Sequence, residues 1–250
     1  MITVVDIPPG QPGDPDEPLV RLPRDEFLRE NIPEWTEHPG SNLEYSSRSS
    51  QEQWRQRGIE ALAEYRSFRH GNKWGIVIRR SGVRGLGHRL HLETGLPLNR
   101  CLKAAFRALY EHELFHFQVD CGYLRLESVG IQGMGAKEGT GYGDLYGLSR
   151  KLFQPWDQLE EALANARSIS RSKREFRAAL KSAFQECPPG YRDFGRFRTG
   201  AAFQKGLDAL FNLSEPTLDR KVAASGVGRV IDPNDSEING QHVPVYLRLD

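Results

Sequence analysis

The strongest constraint in this sequence is a helical stretch that runs without a break from Pro97 to about Asp120. Leu102, Ala105, Phe106, Leu109, Leu114 and Phe117 recur at the three-and-four spacing of one helix face, so the segment is expected to lie along a core. Gly122 offers it a stop. Late in this stretch stand His112, Glu113, Leu114, Phe115 and His116. Positions i and i+4 of a helix share a face, so the two imidazoles can hold one ion between them. Glu113 then lies beside the ion, where it can take a proton from a bound water. Zinc brings the pKa of such a water to about 7. Leu114 and Phe115 are left to pack on the side away from the metal.

The segments around this helix set the expected fold. Residues 1–24 contain Pro8, Pro9, Pro12, Pro15, Pro18 and Pro23, which disfavour a helix or a central strand there. Residues 1–45 are therefore read as a proline-rich extended or disordered arm, and 46–250 as one domain. Ser50 to Phe68 reads as a first helix. Lys73–Arg80 and His88–Glu93 read as two strands of a hairpin, joined by the glycine-rich turn between them. On that reading His88 and His91 are exposed strand histidines. After the long helix comes a glycine-dense loop, 130–147, and then helices from Pro155 to about Ile169, Ser172 to Glu186 and Thr199 to Leu213. His242–Leu249 alternates like a strand. The expected class is α+β: a small antiparallel sheet packed on the long helix, with a mainly helical C-terminal part.

Charge and composition narrow the partners. A net charge of +1 gives no global attraction to nucleic acid or anionic membrane. No stretch approaches the roughly 20 apolar residues that cross a bilayer. The N-terminal residues lack the basic and apolar regions of a signal peptide, so a cytoplasmic protein without membrane contact is expected. Cys101, Cys121 and Cys187 are odd in number, far apart and form no CxxC pair, which points to free thiols. Ten basic residues between Arg167 and Lys205 face three acids, with Phe176, Phe184, Tyr191, Phe194 and Phe197 interleaved. No nucleic-acid-binding motif accompanies them. They read as solvated helix faces over core aromatics, and no nucleic acid is expected as a partner.

A catalytic zinc needs a third protein ligand and an open position. The extended HExxHxxGxxH pattern of the metzincins fails here, because Val119 and Gly122 stand where its glycine and last histidine would be. The only later histidine is His242, so a carboxylate is expected. In the helix after the glycine loop, Glu160 and Glu161 are followed by Ala164 and Asn165, with Glu161 and Asn165 one turn apart. Together with His112–His116, this run resembles the gluzincin class of metallopeptidases over about residues 105–120 and 156–167. The resemblance implies a zincin-like fold and a single Zn2+ on His112, His116 and Glu161. It further implies that Asn165 orients His112 and that Glu113 acts as general base in hydrolysing a peptide bond of a polypeptide substrate. The stretch between His116 and Glu161 is longer than in the best-known gluzincins, and the glycine loop would absorb the difference.

Two other carboxylates remain open as ligands. Glu160 adjoins Glu161, and the helix face decides between them. Asp144 lies in a Gly139–Thr140 to Tyr146–Gly147 segment that partly resembles the aspzincin signature, with the Asp-to-Tyr spacing one residue short. Tyr142, Tyr146, His242 and Tyr246 are candidate donors to a developing oxyanion, with Tyr146 and His242 carried forward. Asp120 could support a ligating histidine and is read as a helix-end polar residue. A substrate peptide is expected to add to the edge of the Lys73–Glu93 hairpin. The second class of function is a non-peptidase zincin-like regulator of stress, toxin or mobile-element systems. Such a protein would bind zinc and a protein partner, as similar stand-alone HExxH proteins do.

Overall fold

The computed structural model describes residues 19–22, 54–68, 74–130, 156–211, 231–232, 235–238 and 240–248. Most of the N-terminal arm and the glycine loop with Tyr142, Asp144 and Tyr146 lie outside those residues. Ile76, Val77 and Ile78 are buried, which suits a strand covered on both faces, and they form the middle of β3 (Gly75–Arg79). Antiparallel to it on one side runs β2 (Ala63–Arg66), with Tyr65 opposite Ile76. The last strand, β6 (Val245–Arg248), runs parallel on the other side, and β1 (Leu19–Arg21) pairs antiparallel with β6. The order is β1-β6-β3-β2. The sheet is therefore mixed rather than purely antiparallel. A parallel pair needs a long crossover, and the helices between β3 and β6 provide it. A separate two-stranded ribbon, β4 (Glu237–Ile238) with β5 (Gln241–His242), precedes β6.

The hairpin expected from Lys73–Glu93 is replaced by strand and helix. Arg80–Thr94 forms α1, and the strand partner of β3 is β2, out of the segment read as a first helix. Two glycines explain the misreading. Gly82 lets α1 approach the backbone of Leu62, where an added Cβ would lie 2.6 Å from the Leu62 carbonyl oxygen. Gly87 admits Leu102 in the same way, at 2.7 Å. They are close-contact residues of a helix whose Val83, Leu86 and Leu90 are buried, not turn residues. His88 and His91 accordingly ride on α1, their ring centroids 6.2 Å apart. Upstream, the expected helix is limited to a turn at 54–57 and a 3-10 segment, Gly58–Ala61, before β2 begins. Gly58, at φ 70°, takes the left-handed conformation that ends the turn.

The motif helix, α2 (Leu98–Gly130), passes through Gly122 instead of ending there. A glycine weakens a helix by about 1 kcal/mol, and the burial of Cys121 and Leu124 on either side is enough to override that. α3 (Trp156–Arg171) follows the glycine loop. A 3-10 turn, Arg174–Phe176, leads into α4 (Arg177–Gln185), and a second 3-10 segment, Tyr191–Phe197, into α5 (Gly200–Leu210). Thr199 caps α5 by accepting from the Ala202 N–H.

α2 lies between two apolar clusters. One side joins the sheet, α1 and α4 through Trp74, Ile76, Leu90, Leu109, Phe117 and Phe184. Phe117 stacks on Trp74 and meets Tyr65 and Phe68 edge-on. The other side meets α3 and α5 through Phe115, Val119, Leu163, Leu207 and Leu210. Of the aromatics interleaved with the basic run, Phe176, Phe184, Tyr191 and Phe194 are buried and Phe197 is half-buried against the core. Among the described residues no helix is long and apolar enough to cross a membrane. All three cysteines are free and buried.

Two outcomes test this packing. Gly82→Ala should destabilise the protein by about 1–3 kcal/mol in urea unfolding, because backbone must move; Gly200→Ala, with nothing near its Cβ position, should be neutral or slightly stabilising. Burial pushes the Cys187 thiol up to about 12, so iodoacetamide at pH 8.5 should label it only after unfolding. Peptide mass spectrometry reads the label, and rapid labelling of native Cys187 would contradict the packing.

Candidate metal centre

His112, Glu113 and His116 sit on the middle turns of α2, locked by Phe115 and Phe117, which are fully buried on opposite sides of the helix. α3 packs against this stretch with small residues, Ala162, Ala164 and Ala166, turned into the protein. The helices run antiparallel. Ser168 Oγ donates to the Ala108 carbonyl at 2.7 Å, Asn165 meets His112, and Glu160 and Glu161 meet His116. Glu161 and Asn165, one turn apart, both reach α2.

The hydrogen bonds around the two rings fix their tautomers. Asn165 donates from Nδ2 to the Tyr191 carbonyl at 2.8 Å, so its Oδ1 is the atom that faces His112 Nδ1, at 3.0 Å. That His112 nitrogen must then carry the proton. His116 Nδ1 lies 2.6 Å from Glu160 Oε1, an acceptor, and must likewise donate. The two Nε2 atoms are thus turned toward each other, 3.2 Å apart. Glu161 adds its carboxylate, at 3.1 Å from His112 Nε2 and 3.6 Å from His116 Nε2.

The three atoms need a positive charge among them, either the proton that His116 holds or a metal ion in its place. Four-coordinate zinc, with bonds of about 2.0–2.1 Å to nitrogen and oxygen, separates its donors by roughly 3.3–3.4 Å. The observed separations bracket that spacing, and the two-imidazole, one-carboxylate set is chemistry that zinc accepts. The residues therefore fit a tetrahedral ion with one position left over. His112, His116 and Glu161 are the one such group of histidine, cysteine and acid side chains among the described residues.

Electrostatics follow the same layout. Burial opposes charge on His112 and keeps its ring below the ordinary imidazole range. Burial acts the same way on His116, but Glu161 and Glu160 outweigh it and hold that ring well above the range. For Glu161, burial favours the neutral acid, yet His116 and the bonds from both rings bring its carboxyl down to about 2. A cation entering the site displaces a proton from His116, so metal affinity falls as the pH drops.

The other sequence candidates fall in different places. Glu113 is 3% exposed and lies on the same turn as His112. Glu160 is directed to the far side of His116 rather than into the donor cluster. His242 stands in the β4–β5 ribbon, its Nδ1 3.3 Å from Glu237. Tyr246 is buried in β6, opposite Arg21 of β1. Asp120 does not end α2. It is buried and accepts from the Tyr65 hydroxyl at 3.0 Å, tying β2 to the motif helix.

The sequence reading missed two contributors. Tyr191 lies parallel to the His112 ring, centroids 6.3 Å apart, and its carbonyl sets the Asn165 amide. Asp235 receives Gln118 on its carbonyl and Arg125 on its carboxylate, both from α2. Neither carries a local signal, since one acts through its backbone and the other is more than a hundred residues from its partners. Comparisons of the chain with protein-family models, curated proteins and solved structures find no match.

The two acids make separable predictions. Glu161→Gln should abolish stoichiometric zinc binding, whereas Glu160→Gln should retain it with affinity lowered about 10- to 100-fold. Chelator competition on the purified variants measures both, and the reverse ranking would exchange their roles.

Proposed function

We propose that the chain is a zinc-dependent peptidase with a zincin-like arrangement of sheet, motif helix and ligand helix. What carries the reading is the donor triangle of His112, His116 and Glu161 with both imidazole Nδ1 atoms already engaged. The bound zinc would supply Lewis acidity, making hydroxide accessible near neutral pH and polarising a carbonyl.

The protein's own groups do the rest. Glu113, buried one residue after His112, takes the proton of the attacking water and delivers it to the leaving amine. Its low exposure keeps competing water away from that transfer. Asn165 and Glu160 hold the two rings in the ligating tautomer. β2 is the edge strand on the side of α2, tied to it through Tyr65 and Asp120. A polypeptide substrate adding to this edge would be held by backbone hydrogen bonds. The edge is thus 63–66, not the hairpin expected from the sequence.

Glu113→Gln should keep one zinc per chain by elemental mass spectrometry and lose hydrolysis by about 10²- to 10⁴-fold. Comparing new protein N-termini in native cells carrying wild type or Glu113→Gln identifies the substrate. Identical sets of N-termini from zinc-loaded wild type and from Glu113→Gln would exclude a peptidase and leave a zinc-binding regulator.

A further inference from the structure

Taken along the sequence, the basic run from Arg167 stands alone. The fold joins it to a second group of bases. Arg100, Lys103 and Arg107 lie along one stripe of α2 at i, i+3 and i+7, all exposed. Because α2 and α3 are antiparallel, this stripe borders the end of α3 and the turn after it, where Arg171, Lys173 and Arg174 are exposed too. The Arg100–Glu175 ion pair, at 2.7 Å, fixes the two groups side by side.

Across 98–107 and 171–176 there are six bases and one acid, Glu175, already paired with Arg100. Glu111, next along the stripe, pairs with Arg167 at 3.6 Å. Folding accounts for only part of this concentration: the dipole of α3 favours Arg171 in its last turn, but that of α2 opposes Arg100 in its first. Like charges three and four residues apart repel by a few tenths of a kcal/mol each. The first turn of α2 has no acid, although the helix dipole favours acids there. The bases of α2 thus keep an electrostatically unfavourable arrangement on the surface.

We propose that this ridge binds the phosphodiester backbone of duplex nucleic acid, independently of the metal centre and of base sequence. Four of the six bases are arginines, whose planar fork suits phosphate oxygens. The neighbouring aromatics, Phe176 and Phe184, are buried, which removes base stacking as a mode of contact. Leu92 of α1 is the single large apolar side chain exposed among the described residues, so the face lacks the apolar anchor that seats a protein in a lipid surface.

Fluorescence anisotropy with a labelled duplex of mixed sequence, about 20 base pairs long, tests this on the full chain. Binding should weaken with salt at a log–log slope near −0.9 for each phosphate contacted. Replacing Arg107, Arg171 and Arg174 together by Gln should reduce affinity at least tenfold and flatten the slope by roughly 2 to 3 units. Arg192→Gln and Lys205→Gln, off the ridge, should change neither, and circular dichroism checks that each variant is folded. Equal binding by wild type and the triple variant would overturn the proposal. So would stronger binding to polyglutamate or to phosphatidylserine vesicles than to the duplex.

Discussion

The close antiparallel contact of α2 with α3 is the interaction on which the molecule depends. It is held by a buried polar ladder instead of by apolar packing alone. Ser168 reaches the Ala108 carbonyl, Asn165 reaches His112, Glu161 reaches both imidazoles and Glu160 reaches His116. Each rung satisfies groups whose burial would otherwise cost about 1–3 kcal/mol apiece. The alanines of α3 let the helices come near enough for such short side chains to meet. A larger residue at Ala162 or Ala164 would push the rungs apart before it disturbed either helix.

That ladder also explains the unequal surroundings of the two histidines. An amide holds His112, and burial keeps its ring neutral. Two carboxylates face His116, Glu161 foremost and Glu160 with it, and against the effect of burial they raise that ring's basicity. Two donors of different strength on one turn come from the partners α3 offers at positions 160, 161 and 165. The asymmetry belongs to the helix pairing, not to the motif.

Much of the site could be read before the fold, since i, i+4 geometry is a local property. His112 with His116, and Glu161 with Asn165, each follow from helical spacing alone, and the structure brings the two pairs together. The choice of Glu161 over Glu160 as the acid facing both Nε2 atoms rests on the same periodicity. Long helices with strong apolar faces were legible too. What failed was punctuation by glycine. Gly82, Gly87 and Gly122 look like breaks in one dimension, but in three they are where backbones approach or where packing carries a helix onward. The run His88–Glu93 alternates as a strand would and is helical, because six residues cannot separate the two periods. The parallel pairing of β3 with β6 was beyond reach, since it joins residues about 170 positions apart.

This last pairing makes the site depend on residues distant in the sequence. β6 is the final strand, yet it occupies the middle of the sheet between β1 and β3. The face of β3 that receives Phe117 is therefore complete only when the C-terminal residues are in place. Asp235, just ahead of β4, fastens the same segment to α2 through Gln118 and Arg125, both on the C-terminal side of the second histidine. The rotation of α2 about its axis, and with it the direction of both imidazoles, is thus set from two sides. α3 supplies one through the polar ladder, and the C-terminal segment supplies the other through the sheet and Asp235. A helix held on one side only could turn by a fraction of the roughly 100° between neighbouring residues and separate the Nε2 atoms. Five residues on a helix define the motif; α3 and the segment 235–248 hold it in place.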